Sequence, residues 1–297
     1  MTRPELIETI PVGNILGEGV LWDSQSGTVW WTDIEASRLY HYNPENREIG
    51  HFETPERLGS FALTDKKDWF LAAFESGFAR YNPVQGQVDW IARPEEDLSH
   101  TRFNDGRVDR QGRFWAGTMV EDDRSGITER GGLYRLDPDG VARPQLGDIS
   151  ISNSLCWSPD GSRMYFADSP SHLIEVFDFD PVQGRPFNRK AFAETPEGIH
   201  PDGSTVDREG FLWNAQWGGG KVVRYSSGGD IHLVLDLPVS QPTCVAFGGR
   251  DLSLLFVTTA RADLTEEQLK TEPDAGHLLI YQTNVVGLEE VRVKLLP

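Results

Sequence analysis

An all-β fold, a closed six-bladed β-propeller with four antiparallel strands per blade, is predicted by three features of this sequence. One phrase recurs six times, four strand signals recur within a copy, and helical periodicity is nearly absent. The phrase is an apolar residue, a polar turn often holding Asp and Gly, and then a strongly apolar strand with Trp, Tyr or Phe.

Its copies follow in order. Trp22-Asp23-Ser24-Gln25-Ser26-Gly27 precedes Val29-Trp30-Trp31, and Leu63-Thr64-Asp65 precedes Trp69-Phe70-Leu71. Val108-Asp109-Arg110-Gln111-Gly112 leads into Phe114-Trp115, and Trp157-Ser158-Pro159-Asp160-Gly161 into Met164-Tyr165-Phe166. Val206-Asp207-Arg208-Glu209-Gly210 precedes Phe211-Leu212-Trp213, and Phe247-Gly248-Gly249 precedes Leu254-Leu255-Phe256-Val257. The spacing is roughly 40–50 residues, the period of propeller blades, whereas two sandwich domains would show no such period.

Within the fifth copy the strand signals are Ser204-Thr205-Val206, Phe211-Leu212-Trp213, Val222 to Tyr225 and Ile231 to Leu235. Their β-branched and aromatic residues lie between Gly, Asp and Ser clusters, the pattern of short antiparallel strands. Leu6 to Ile10 is expected to pair into the final blade, beside Leu254 to Val257 and Leu278 to Tyr281. Leu264 to Leu269 is the one short helical candidate, placed inside a loop. A single propeller over residues 1–297 is the expected organisation.

Composition narrows the function classes. Hydrophobic residues make up 38% of the 297, with nine tryptophans, enough for a sizeable core. With 46 acidic residues against 28 basic ones, the net charge is −18, which repels phosphate backbones and anionic lipid. Neither a nucleic acid nor a membrane is therefore an expected partner. No apolar run approaches membrane length, and Met1-Thr2-Arg3-Pro4-Glu5 opens no leader-like apolar stretch, so the cytoplasm is the expected compartment. Cys156 and Cys244 both lie in apolar strand signals and read as buried, reduced thiols. A monomer or weak homo-oligomer is expected.

The repeat also serves as a ruler. Four residues before the apolar residue that opens each turn phrase stand Glu18, Gly59, Asn104, Asn153, Asp202 and Thr243. The innermost strand of each blade lines the central channel, so these six should ring one mouth of it. Four carry acidic or amide oxygens, poor core material but good ligands for a hard cation. Singly, each has an ordinary explanation: Asn104-Asp105-Gly106 and Pro201-Asp202-Gly203 are turn formers, and Glu18 between two glycines fits a solvated loop. Only the shared register lifts them together. Arg102 lies two residues before Asn104 and points to the same side by strand alternation. Glu121, after the second strand of the same blade, returns to that mouth. These two form either a surface ion pair or a pair of groups that bind a polar ligand.

Several strings together resemble the senescence marker protein/gluconolactonase family, which includes regucalcin and bacterial aldonolactonases. They are Gly17-Glu18-Gly19, Arg102-Phe103-Asn104-Asp105-Gly106, Ala116-Gly117-Thr118-Met119, Ile151-Ser152-Asn153, Pro201-Asp202-Gly203, Trp217-Gly218-Gly219 and Pro242-Thr243 with Phe247-Gly248-Gly249. The resemblance spans essentially the whole chain, in order. It implies that Glu18, Asn153 and Asp202 hold a divalent metal, and that Arg102, Asn104 and Glu121 line a sugar-lactone site. Two departures stand out: Val20 where many members carry Pro, and Ser154 where many carry Gly. Ser154 adjoins a ligand position and bears on metal preference.

The implied reaction is metal-dependent hydrolysis of a small-molecule aldono-1,4- or 1,5-lactone to the aldonic acid, with Asp202 as general base in addition to ligand. An oxygen-only ligand set favours calcium first, then magnesium or manganese; zinc and iron(II) more commonly recruit His or Cys. No Gly-x-Ser-x-Gly nucleophile elbow occurs. The alternatives are a phosphotriesterase-like hydrolase and a calcium-binding propeller without turnover.

Overall fold

Both faces of each repeat's strands carry apolar residues, so a sheet made from one repeat must be covered on both sides. Stacking sheets around an axis meets that demand. In the computed structural model, which describes residues 3–121 and 128–295, six four-stranded antiparallel sheets follow one another. Their innermost strands are Gly17–Asp23, Leu58–Leu63, Thr101–Val108, Ser152–Trp157, His200–Val206 and Pro242–Gly248. The fifth blade comprises His200–Val206, Leu212–Trp217, Lys221–Tyr225 and Ile231–Asp236, the four strands expected there. Glu5–Ile10 closes the ring as the outermost strand of the last blade, with Ile10 opposite Leu278 and Glu5 opposite Gln282.

Large side chains fill the wedges between adjacent blades. Trp22, Trp31 and Tyr42 of the first blade pack with Phe256, Leu278 and Ile280 of the last, and the Trp22 and Phe256 rings stack at 5.6 Å. Each such fully buried side chain stabilises the ring by about 1.5–3 kcal/mol. Cys156 and Cys244 are buried and unbridged, as expected. The helical expectation needs a correction in its bounds. The helix runs over Glu266–Thr271, because Thr265 caps it and forms a reciprocal capping box with Gln268, which leaves Leu264 outside.

Blades three and five lock their turn phrase with a buried aspartate. Asp207 Oδ1 accepts from the backbone N–H groups of Glu209 (2.9 Å) and Phe211 (3.1 Å). Its Oδ2 accepts from Trp213 Nε1 (2.9 Å) and Arg224 Nε (2.8 Å). Asp109 repeats the pattern with Gln111, Arg113 and Trp115. Asp207→Ala strands the buried Trp213 indole N–H and takes one of two carboxylates from Arg224, which keeps Glu209 at 2.5 Å, so urea unfolding should show a loss of about 1–3 kcal/mol.

The C-terminal segment runs across the turn ends of several blades. Its backbone bonds Arg208 N to Val286 O (2.9 Å), Gly287 N to Leu252 O (2.8 Å) and Val293 N to Leu63 O (2.9 Å). Between them Glu290 pairs with Arg107 of an innermost strand at 2.5 Å, with little of either side chain exposed. The channel is strapped at this end, so the site belongs to the other.

Candidate active site

Every innermost strand is irregular at the same place. Its pairing with the second strand slips between Glu18 and Leu21, Leu58 and Ser60, Phe103 and Gly106, Asn153 and Cys156, Pro201 and Ser204, and Pro242 and Val245. A bulge bends a strand and re-aims its side chains. All six register positions fall at these slips. Gly59 is one, and a Cβ there would lie 2.5 Å from Phe103 O, so the second blade offers backbone where its neighbours offer oxygens. Gly203, after Asp202, is equally constrained: a Cβ would lie 2.6 Å from Cys244 Sγ.

The ring closes through hydrogen bonds between blades. Thr243 Oγ1 donates to Gly17 O (2.5 Å), Ser154 Oγ to Asp202 O (2.6 Å) and Asn104 Nδ2 to Ser152 O (3.0 Å) and Asn153 Oδ1 (3.4 Å). Glu18 and Asp202 meet across the ring, close enough to share a proton. Burial first, and then the carboxylate of Asp105, pushes Glu18 up to about 8. Asp202 is raised well above the usual carboxylate range by burial and by Glu18. Asp202 Oδ1 is buried without any hydrogen-bond partner. Asn153 Nδ2 donates to Ser169 Oγ (2.8 Å), which leaves its Oδ1, bonded only by the long contact from Asn104, with acceptor capacity to spare.

A divalent cation suits these donors. Two buried carboxyls in contact, an orphaned oxygen and an amide oxygen are costly as they stand, and a hard cation takes such oxygens as ligands. Among the described residues no three His, Cys, Asp or Glu side chains gather into a metal-binding group. The ring's donor set is two carboxylates completed by an amide. Ser154 holds a left-handed backbone (φ 61°) at the slip, as Gly19 does (φ 58°) in the first blade. Its hydroxyl is the strut beneath Asp202.

Beside the ring lies a polar wall. Arg102 Nη1 donates to Asn104 Oδ1 (2.8 Å) and to Phe103 O (3.0 Å), and its Nε approaches Glu121 Oε1 at 3.3 Å. Glu121 is engaged more closely by Arg57, whose Nη1 and Nη2 lie 2.5 and 2.7 Å from its two oxygens. That pairing, more than its contact with Arg102, holds the Glu121 carboxyl below its ordinary range. All six sequence-selected residues thus gather at one end of the channel: Glu18, Asn153 and Asp202 at the ring, Arg102, Asn104 and Glu121 at its edge.

Sequence reasoning missed Arg57, Glu35, Glu75 and Asp105. Arg57 stands two residues before Gly59, as Arg102 does before Asn104, so the repeat already held the signal. Asp105 follows a selected residue, and strand alternation sends it to the opposite face. The slip between Phe103 and Gly106 breaks that alternation, and Asp105 acts electrostatically on both Glu18 and Asp202. A separate cavity of about 730 Å³ is lined by Leu71, Arg110, Pro138 and Val293 and includes no ring residue.

Comparison with known proteins agrees with this fold. The chain is 36% identical to a 6-deoxy-6-sulfogluconolactonase of Pseudomonas putida, over 93% of this chain and 94% of that one. It is 39% identical to an L-arabinolactonase of Azospirillum brasilense, over 94% and 92% of the two chains. The crystal structure of a calcium-binding protein, regucalcin, from Agrobacterium tumefaciens superposes with a TM-score of 0.90 at 32% identity, over 97% of both chains. The SMP-30/Gluconolactonase/LRE-like region model matches residues 16–261. With that match over most of its length, the chain belongs to the SMP-30/gluconolactonase/LRE-like family.

Proposed function

We propose that this chain hydrolyses a sugar lactone, an aldono-1,4- or 1,5-lactone, to the aldonic acid, with a divalent cation held by Glu18, Asn153 and Asp202 and calcium as the first choice. The lactonase names of its relatives support the reaction class. The observation that carries the reading is the buried Glu18–Asp202 pair, with Asp202 Oδ1 unpartnered, next to a wall of sugar-compatible hydrogen-bonding groups.

When bound, a cation would polarise the lactone carbonyl and offset the burial that otherwise keeps Glu18 and Asp202 protonated. Asp202 then takes a proton from the attacking water. Water oxygen adds to the carbonyl carbon, the ring C–O bond breaks, and Asp202 returns its proton to the departing alkoxide oxygen, which becomes a hydroxyl. Arg102 donates to ring hydroxyls, and Glu121 and Asn104 Oδ1, each with acceptor capacity beyond its bond from Arg102, accept from them. Arg102 is pinned by three acceptors, so it presents a fixed edge to the sugar.

The test is steady-state kinetics on a panel of 1,4- and 1,5-lactones at saturating cation. Arg102→Ala and Asn104→Ala each remove charged or amide hydrogen bonds to the sugar and should raise KM by about 10-fold or more, with a smaller change in kcat. Unchanged KM in both variants would take these residues out of the sugar site.

A further inference from the structure

Among the described residues, five charged side chains cluster at the rim of the channel mouth: Glu35, Glu75, Glu121, Arg57 and Arg102. The carboxylates follow the second strands of three successive blades, Thr28–Asp33, Phe70–Phe74 and Phe114–Val120. The guanidiniums occupy equivalent register positions, each two residues before a ring residue. Arg57 sits at the centre of the cluster. Its Nε lies 2.9 Å from Glu75 Oε2, its Nη1 3.5 Å from Glu35 Oε1, and its two terminal nitrogens take both oxygens of Glu121. Arg102 reaches only one Glu121 oxygen, at 3.3 Å, and lies 3.9 Å from Glu35.

We propose that Arg57 is a positioning residue of the substrate site: it clamps Glu121 by a two-point bond in the orientation that accepts sugar hydroxyls, and Glu35 and Glu75 hold Arg57 in turn. This rests on the reading of Glu121 as a sugar-binding group. A two-point guanidinium–carboxylate pair fixes the plane of the carboxylate as well as its distance. Each Glu121 oxygen keeps acceptor capacity beyond the one bond it receives from Arg57, and that capacity is what a hydroxyl uses. Without Arg57, Glu121 keeps only one long contact, to Arg102, and its carboxylate plane is no longer fixed. Lysine offers a point charge in place of a planar fork and restores attraction without orientation.

The experiment is a double-mutant cycle on the cation-loaded protein, with Arg57→Ala, Arg57→Lys, Glu121→Gln and Arg57→Ala/Glu121→Gln. Arg57→Ala should raise the lactone KM about tenfold while kcat and the calorimetric cation Kd stay within about twofold. Arg57→Lys should fall between, and the double variant should be no worse than Glu121→Gln alone. An unchanged KM in Arg57→Ala, additive effects in the cycle, or KM, kcat and cation Kd worsening together would overturn the proposal. If the wild-type chain turns over no lactone, the lactonase reading fails by itself, and the Glu121 carboxyl titration followed by ¹³C NMR decides the clamp. A rise on Arg57→Ala upholds it; an unmoved titration overturns it.

Discussion

Asp202→Asn is expected to lower kcat by about 10²–10⁴-fold, the range that a positioned general base contributes. The substitution keeps an oxygen for the cation and keeps the shape of the side chain, but removes charge and basicity. It therefore separates the two duties assigned to Asp202. KM for the lactone should move little, because the sugar is held by Arg102, Asn104 and Glu121. Weaker cation binding contributes part of the loss, and excess cation should rescue only that part. The backbone around Asp202 should survive, since Ser154 Oγ and Asn214 Nδ2 bond its carbonyl at 2.6 and 2.9 Å, away from the side chain. Steady-state kinetics at several cation concentrations read both components. A kcat near wild type would remove Asp202 from the base role.

Metal-free protein is expected to lose stability as pH rises. Glu18 holds its proton up to about 8 in the folded chain, against an ordinary value of 4.5, and Asp202 is raised as well. Between those limits the folded state binds more protons than the unfolded state. The linkage relation then makes unfolding easier with each increment of pH, with no effect of this pair below the ordinary carboxylate range. His41 and His277, lowered by burial, work in the opposite direction near and below their ordinary value of 6.5. The diagnostic quantity is therefore the difference between wild type and Glu18→Gln, which removes one charge of the pair. That difference should shift against wild type from about pH 5 to pH 8.

A divalent cation should reverse the loss, and increasingly so at higher pH, because it competes with the protons for the same oxygens. At about 100 times the Kd the stabilisation is about 2.7 kcal/mol, or a Tm rise of roughly 4 °C for a chain of this size. Thermal melts of wild type and Glu18→Gln from pH 5 to 8.5, with and without calcium, check both. Parallel pH profiles for the two proteins, and no cation effect on wild type, would contradict the assignment.

The propeller was legible because its period is written in residue types. Trp, Tyr and Phe after an Asp-Gly turn recur often enough that each blade announces its second strand, and the first strand can be counted back from there. Glu18, Asn104, Asn153 and Asp202 emerged from that count before any geometry, since channel-lining positions share a register. The slips at these positions were not legible: a bulge adds a residue without a residue-type signature, except where Gly19 supplies the left-handed backbone. Asp105 was hidden for this reason. Arg57 was hidden because its ring residue is Gly59, which has no side chain to attract notice. The strap over residues 286–295 lies outside the period altogether. Its Val291, Val293 and Leu295 alternate with charged residues, and that alternation was its one signal. Helix bounds slipped by two residues because the Thr265–Gln268 capping box outweighed the apolar spacing.

The most direct test of a cation-dependent lactonase centred on Glu18, Asn153 and Asp202 is turnover of the best lactone after exhaustive chelation, followed by titration back with calcium, magnesium, manganese, zinc or iron(II). Activity should vanish on chelation and return with a stoichiometry of one cation per chain in wild type. In Glu18→Gln the return should need far more cation. Full turnover in the stripped protein, or an unchanged titration in Glu18→Gln, would contradict it.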